Sequence, residues 1–382
     1  MTQGEKSKSG NTIKLVMSCD LGGSCNKSIV QIYPSGTPKV MVMSPEVASV
    51  GKIAIAQLIE QQANFNSTWV GIGEEYYVLG SLAKNQFAGT AALRELKYHY
   101  ALPKIAGLLC QAYRHYNIDR PVDLFVQLLL PPGELNDAPN LLKELSSALK
   151  QGINTPSGKL KAKLRRFDVS PEGVGILQYR SRNANVRYFE KVIGLLMLGY
   201  RNATYIVVDQ GSLAKAETTD LGMNWAVQQF VERTAVGLSK DNSHLVTAML
   251  SASQGNWDGL RRLSRKSNEL GVAADLKLFG KILPEVRDAY CRALVQWIRK
   301  IAILDEILIC GGTAEFVCTE LTEHFQNEGI PIVWNGSVEF PKRLDTQGLN
   351  ERAADVWTSF ITYILMLDEN FGYERKQNLV PE

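Results

Sequence analysis

The stretch Val16-Met-Ser-Cys-Asp-Leu-Gly-Gly-Ser-Cys-Asn-Lys-Ser-Ile-Val30 runs apolar, bends through Asp20, Gly22 and Gly23, places Lys27, and becomes apolar again. Two apolar runs joined by a glycine bend read as an antiparallel hairpin, Ile13 to Cys19 with Ser28 to Tyr33, and Lys39 to Met43 continues the sheet. The bend also constrains chemistry. Glycines let a backbone approach a ligand and present N–H groups to phosphate oxygens, while an aspartate beside them can hold hydrated Mg²⁺. Lys27 returns along the second strand and can neutralise a terminal phosphate.

Two later turns repeat the pattern. Asp209-Gln-Gly-Ser212 joins a strand at Ala203 to Val208 with a return strand at Ala216 to Asn224, and Gly311-Gly-Thr-Ala-Glu315 follows a strand at Glu306 to Cys310. A single Asp-x-Gly reads first as a plain hairpin turn. Two such hairpins about a domain apart, with a strand-Gly-Gly-helix turn after them, form a far rarer combination. Neither a Walker A pattern nor a Gly-x-Gly-x-x-Gly after the first strand competes with it.

Between these turns, strands and helices alternate. Trp69 to Gly80 reads as a hairpin, Leu93 to Tyr116 as helices interrupted at Pro103, and Val122 to Leu130 as a strand buried on both faces and closed by Pro131-Pro-Gly133. Asn140 to Lys150 reads as a helix, Lys159 to Val169 as a half-exposed strand, and Asn183 to Gly199 as a helix capped by Gly199. Further helices are expected at Asn242 to Ser253, Trp257 to Leu270, Pro284 to Ile301, Ala314 to Gln326 and Gly348 to Asp368, with a strand at Pro331 to Trp334. Sheets covered by helices define an α/β chain. Its 382 residues exceed one ordinary core, so two domains are expected, meeting near Gly199 to Ala203.

Charge and composition exclude several classes. With 42 basic and 39 acidic residues the net charge of +3 is too balanced for a nucleic-acid coat or a membrane-surface protein. The basic runs Lys159, Lys161, Lys163, Arg165, Arg166 and Arg261, Arg262, Arg265, Lys266 read as solvated faces. No apolar run is long enough to span a membrane, and the polar start MTQGEKSKSGNT lacks a signal-peptide core, so a cytoplasmic protein is expected. Six cysteines without a Cys-x-x-Cys pair, and four histidines without ligand spacing, read as core thiols and ordinary histidines rather than a metal site.

The three turns, in this order and spacing, resemble those of the actin-like ATPase superfamily, and within it the plasmid-segregation proteins of the ParM/StbA type. The resemblance extends from about residue 13 to 368. It implies an actin-like, ribonuclease H-like fold of two lobes with a nucleotide cleft between them. A disordered tail would span residues 1–12, domain I residues 13–200 with a small subdomain at about 34–110, and domain II residues 201–346. A C-terminal helix at 347–370 would pack back on domain I.

On the same resemblance, Asp20, Gly22, Gly23, Ser24 and Lys27 form a first phosphate loop. Asp209, Gly211 and Ser212 form a second, and Gly311, Gly312, Thr313 and Glu315 flank adenine and ribose. Leu129-Leu-Pro-Pro-Gly-Glu134 is similar to the family's crossing strand and bend, and Leu96 to Ile105 to a helix of its small subdomain. Ser170-Pro-Glu-Gly-Val-Gly175 resembles the water-positioning segment, which makes Glu172 catalytic together with Asp209. Asp20 and Asp209 would hold Mg²⁺ through water.

The implied function is an ATP- or GTP-dependent, Mg²⁺-requiring filament that segregates plasmid DNA through a DNA-binding adaptor, without direct sequence-specific DNA contact or membrane association. A scaffold filament with little hydrolysis is the alternative, and a small-molecule kinase, with Asp123 or Asp137 as base, a more distant one. The second loop departs from the family pattern, reading Asp-Gln-Gly-Ser-Leu where relatives often carry Asp-x-Gly-Gly-Thr. Tyr179 to Gly199 also reads as longer than the family's usual link, an insertion.

Overall fold

Both faces of Ile13–Leu21 (β1) are apolar because helices cover both faces of its sheet. A computed structural model describes residues 12–58, 66–91, 95–183, 186–240, 242 and 244–375. The tail expected at residues 1–12 therefore lies outside the described residues except for Thr12. The chain divides into two units, Met1–Gln178 with Val338–Glu382, and Tyr179–Ser337.

In the first unit, β1 is followed by β2 (Asn26–Tyr33), β3 (Lys39–Met43), β4 (Val47–Val50), β5 (Ser67–Ile72), β6 (Glu75–Gly80), β7 (Val122–Leu130), β8 (Ile153–Thr155), β9 (Gly158–Leu160) and β10 (Lys163–Pro171). The principal sheet has the order β10-β7-β1-β2-β3, and a smaller one β4-β6-β5-β8-β9. β1 runs parallel to β7, and β7 to β10, while β2 and β3 return antiparallel.

One face of the principal sheet, through Leu15, Met17 and Val126, packs with Ile105 and Leu145 of the helices Ala101–His115 and Ala138–Gln151. The other, through Val16, Ile29 and Phe125, packs with Val356, Trp357 and Phe360 of the C-terminal helix Ala354–Phe371. Two-sided burial explains the unbroken apolar run of β7. Pro103 does not interrupt a helix. It lies in the first turn of Ala101–His115, where a missing N–H leaves no bond unmade.

The second unit has β11 (Val192–Leu198), β12 (Ala203–Asp209), β13 (Ser212–Thr219), β14 (Glu306–Cys310) and β15 (Ile332–Trp334), in the order β13-β12-β11-β14-β15. The expected helix at Asn183 to Gly199 is corrected. Val192–Leu198 is the central strand of this sheet, paired on both edges by β12 and β14. A Cβ on Gly194 would lie 2.6 Å from the Tyr205 hydroxyl, so a neighbouring strand uses the space that glycine leaves. The division into units falls after Gln178 rather than near Gly199 to Ala203, so Tyr179 to Gly199 belongs to the second unit. The return strand begins at Ser212 and ends at Thr219, and Met223–Thr234 is helical. Leu196, Tyr205 and Val207 join the core made by that helix and the long helix Glu269–Arg299, against which Trp225, Trp257 and Trp297 pack half-buried.

The two principal sheets share one wiring. In each, a first strand (β1, β11) turns into two antiparallel neighbours and lies parallel to two later strands on its other side. The turn after the first strand comprises Gly22–Cys25 in one unit and Gly199–Asn202 in the other. Register pairs Leu21 with Asn26 and Asp20 with Lys27, and likewise Leu198 with Ala203 and Met197 with Thr204.

In the first unit, a Cβ on Gly175 would lie 2.3 Å from Ser359 Oγ and 2.7 Å from Ser359 N, too close to the C-terminal helix backbone. Gly175→Val should therefore destabilise the protein by about 1–3 kcal/mol, seen as a drop of several degrees in Tm. Gly133→Ala, where an added Cβ meets nothing within 4 Å, should leave Tm unchanged.

Candidate functional site

The parallel strands β1, β7 and β10 end together, and the charged groups gather there. β1 delivers Asp20, and antiparallel pairing sets Lys27 opposite it, with Nζ 2.6 Å from Asp20 Oδ2. The turn between them is tight, closed by the Cys25 N–H donating to the Gly22 carbonyl at 3.2 Å. A Cβ on Gly22 would stand 3.0 Å from the Cys25 carbonyl and 3.7 Å from Asp20 Oδ1, so glycine suits the closeness of this turn. Gly23 continues the turn. Lys27 also donates to the Arg352 carbonyl at 3.0 Å, and Arg352 Nη2 donates to Ser24 Oγ at 3.0 Å.

Glu172 follows β10 and is anchored by its N–H donating to the Leu130 carbonyl at the end of β7, at 3.0 Å. Its carboxylate does not stand alone. Lys97, in the short 3-10 turn Lys97–Tyr100, donates to Glu172 Oε1 and lies 3.2 Å from Asp20 Oδ1. That turn is held by the Tyr98 N–H donating to Glu134 Oε2 at 3.3 Å, from the bend after β7. Asp355, at the start of the C-terminal helix, accepts from the Gly173 N–H at 3.0 Å through Oδ2, while its Oδ1 has no partner among the described residues.

Burial would raise the Asp20 carboxyl, but the ammonium groups of Lys27 and Lys97 outweigh it and hold it well below the usual carboxylate range. For Lys97, burial pulls the other way, and the charges of Glu172 and Asp20 overcome it and keep the ammonium protonated. Glu172 is raised by burial and by the Asp20 charge, against the opposing pull of Lys97. Asp355 is pushed up to about 7 by burial and the Asp20 charge.

Asp20, Gly22, Gly23, Ser24, Lys27 and Glu172 thus lie together at one sheet end. Lys97 is the group that sequence reasoning missed. It is distant in the chain from both partners, and nothing in Leu96-Lys-Tyr-His-Tyr100 marks it as a site residue.

In the second unit the expected assembly is corrected. β12 runs antiparallel to β11, pairing Val192 with Asp209, so Asp209, Gly211 and Ser212 sit at the Val192 end of the sheet. β14 runs parallel to β11 and brings Gly311, Gly312, Thr313 and Glu315 to the Leu198 end. At about 3.3 Å per residue along the seven residues of β11, the two turns lie about 20 Å apart. Asp209 therefore cannot share a ligand with the Gly-Gly turn, and its expected catalytic and metal-holding roles are withdrawn.

The residues of the Asp209 turn serve another purpose. Gln210 and Gly211 have φ of 50° and 80°, the left-handed pair that a two-residue type I′ hairpin demands. The turn that does stand beside Gly311 is Gly199–Asn202. A Cβ on Gly311 would lie 2.4 Å from the Leu198 carbonyl, the Thr313 N–H donates to that carbonyl at 3.1 Å, and Thr313 Oγ1 donates to the Gly199 carbonyl at 3.0 Å. Glu315 accepts from Gln254 Nε2.

Among the described residues, no three acidic, histidine or cysteine side chains converge closely enough to hold a metal ion directly. The donors at Asp20 suit Mg²⁺ all the same, since Mg²⁺ keeps several waters and binds through one or two carboxylates together with phosphate oxygens. The glycine turn and the two ammonium groups beside it likewise suit an anionic phosphate chain.

Solved structures share this fold. A ParM protein of Clostridium botulinum, determined as a 15-stranded filament, is 16% identical, with 93% of this chain and 99% of that one covered, at a TM-score of 0.60. An archaeal actin homologue is 14% identical, with 91% and 99% covered, at a TM-score of 0.59. The chain has an actin-like, ParM-type fold. The ADP complex of the same archaeal homologue superposes with a TM-score of 0.54 at 14% identity, again over 91% and 99% of the two chains. No protein-family model matches the actin-like chain, and no curated protein does. Among its described residues no helix is long and apolar enough to cross a membrane.

Asp355 generates a pH test. Its folded value near 7 exceeds the ordinary unfolded carboxyl value of about 3.9, so folding takes up a proton between them and stability falls as pH rises through that window. Asparagine keeps an acceptor for the Gly173 N–H without the charge. Asp355→Asn should be more stable than wild type at pH 8, by about 4 kcal/mol at most, and equal to it at pH 4, as read from denaturant melts at both values.

Proposed function

We propose that this protein is an actin-like nucleotide-binding protein that assembles with copies of itself into filaments and hydrolyses ATP or GTP slowly with Mg²⁺. The observation that carries this function is the charged end of the first principal sheet, where Asp20, Lys27 and Glu172 surround a glycine turn. The filament formed by the Clostridium botulinum ParM and the ADP bound by the archaeal homologue support it.

In this function the amides of Gly22, Gly23 and Ser24 bind phosphate oxygens, and Lys27 neutralises phosphate charge. Asp20 holds Mg²⁺ through water, and that ion offsets phosphate charge when bound. Glu172 orients the attacking water and accepts its proton. Ser212 and Gly211, on the distant hairpin, have no part.

Slow turnover has a specific basis. Where β1 places Asp20, the corresponding register position of β11 holds Met197, so the second unit offers no carboxylate at its matching turn. Head-to-tail contacts between copies would produce open filaments. Segregation of plasmid DNA in the cytoplasm, through a DNA-binding adaptor, is the use we assign to them.

Light scattering and phosphate release from the purified chain with Mg-ATP or Mg-GTP test this function. Scattering should rise only with nucleotide, followed by slow phosphate release. Glu172→Ala should still scatter, with phosphate release at least about tenfold lower. Absence of nucleotide-dependent scattering, or phosphate release that requires an added sugar or acid, would overturn the filament function.

A further inference from the structure

Lys97 is the one member of the charged cluster that nucleotide chemistry does not explain. Its ammonium bridges Asp20 and Glu172, the two carboxylates on which metal and water would depend. Both are more than nine-tenths buried as residues, at 8% and 7% exposure. With Lys27 on Asp20, two carboxylates face two ammonium groups, and the site balances its charge internally. A divalent cation entering alone would meet two ammonium groups already seated on these carboxylates, and departure of one of them relieves that repulsion.

The two lysines differ in how they are held. Lys27 is fixed within the β1–β2 hairpin and donates to the Arg352 carbonyl as well. Lys97 comes from a four-residue 3-10 turn, and its side chain remains 18% exposed. Among the bonds that shape this turn is the one from Tyr98 to Glu134. Lys97 is the ammonium free to depart. Beside the cluster Asp355 keeps a buried oxygen without a partner among the described residues, with Gly173, the neighbour of Glu172, on its other oxygen. The cluster thus has acceptor capacity that the two lysines leave unfilled.

We propose that Lys97 is an exchangeable internal counter-cation: it occupies Asp20 and Glu172 in the ligand-free chain and yields them to a divalent metal. While it is seated, both carboxylates are engaged by its ammonium and closed to the metal. Its release would couple metal entry to movement of the Lys97–Tyr100 turn. This exchange deepens the nucleotide function above, but its test uses metal alone, so either can fail without the other.

The test is calorimetric titration of MnCl₂ into the full chain without nucleotide. Lys97→Gln leaves the buried cluster one positive charge short and should bind Mn²⁺ at least tenfold more tightly than wild type. Lys97→Arg should stay at the wild-type value, and adding Glu172→Gln to Lys97→Gln should abolish the gain. Equal Mn²⁺ affinity in wild type and Lys97→Gln would overturn the proposal. Should Lys97→Gln not fold, the wild-type chain decides. Labelling with an amine-reactive reagent, read by mass spectrometry, should increase several-fold at Lys97 on addition of saturating MnCl₂ and stay constant at Lys14 and Lys39. Unchanged labelling of Lys97 would overturn the proposal equally.

Discussion

A carboxylate taken out of water must be compensated, and Asp20 imposes that requirement on the whole end of the first sheet. Lys27 and Lys97 supply the compensating charge, Glu172 shares Lys97, and each of the three arrives by a different structural route. Lys27 comes by strand register, Lys97 by a turn held on Glu134, and Glu172 by the hydrogen bond that ties the end of β10 to β7. The helix Ala354–Phe371 contributes Asp355 from the other side of the sheet. Electrostatics therefore coordinates elements that are far apart in sequence, while apolar packing on both faces supplies the rigidity that holds them.

The second unit serves as a control within the same molecule. Its principal sheet is wired identically, yet the positions matching Asp20 and Lys27 are Met197 and Thr204. Its turn is closed instead by packing and backbone bonds, with Gly311 against Leu198 and the Met223 N–H on the Gly199 carbonyl at 3.0 Å. In the first unit the matching positions carry instead the buried pairs of Asp20 with Lys27 and Lys97.

Much of this was legible in the chain itself. The β1–β2 hairpin, the doubly buried β7 and the placement of Glu172 after a strand follow from apolar runs and the glycine and proline residues that end them. What misled was the identical one-dimensional appearance of two different turns. Asp209-Gln-Gly-Ser212 needs its glycine for left-handed geometry, and sequence alone does not separate that need from a need for ligand approach. Val192–Leu198 failed for a related reason, because a short apolar run without alternation has the same pattern as a strand or as part of a buried helix. Lys97 was invisible because its role arises from tertiary placement, on a turn of four residues.

Equal loop length and equal register set residues 20–27 and 197–204 at the same offset in their sheets, with the Cys25 N–H on the Gly22 carbonyl in one turn and the Gly199 N–H on the Asn202 carbonyl in the other. Divergence between them is a change of side chains on a common frame, with no insertion to reconcile. The molecule carries, in one chain, two hairpins of one register, with Asp20 facing Lys27 in the first and Met197 facing Thr204 in the second, and the difference between them can be expressed residue against residue.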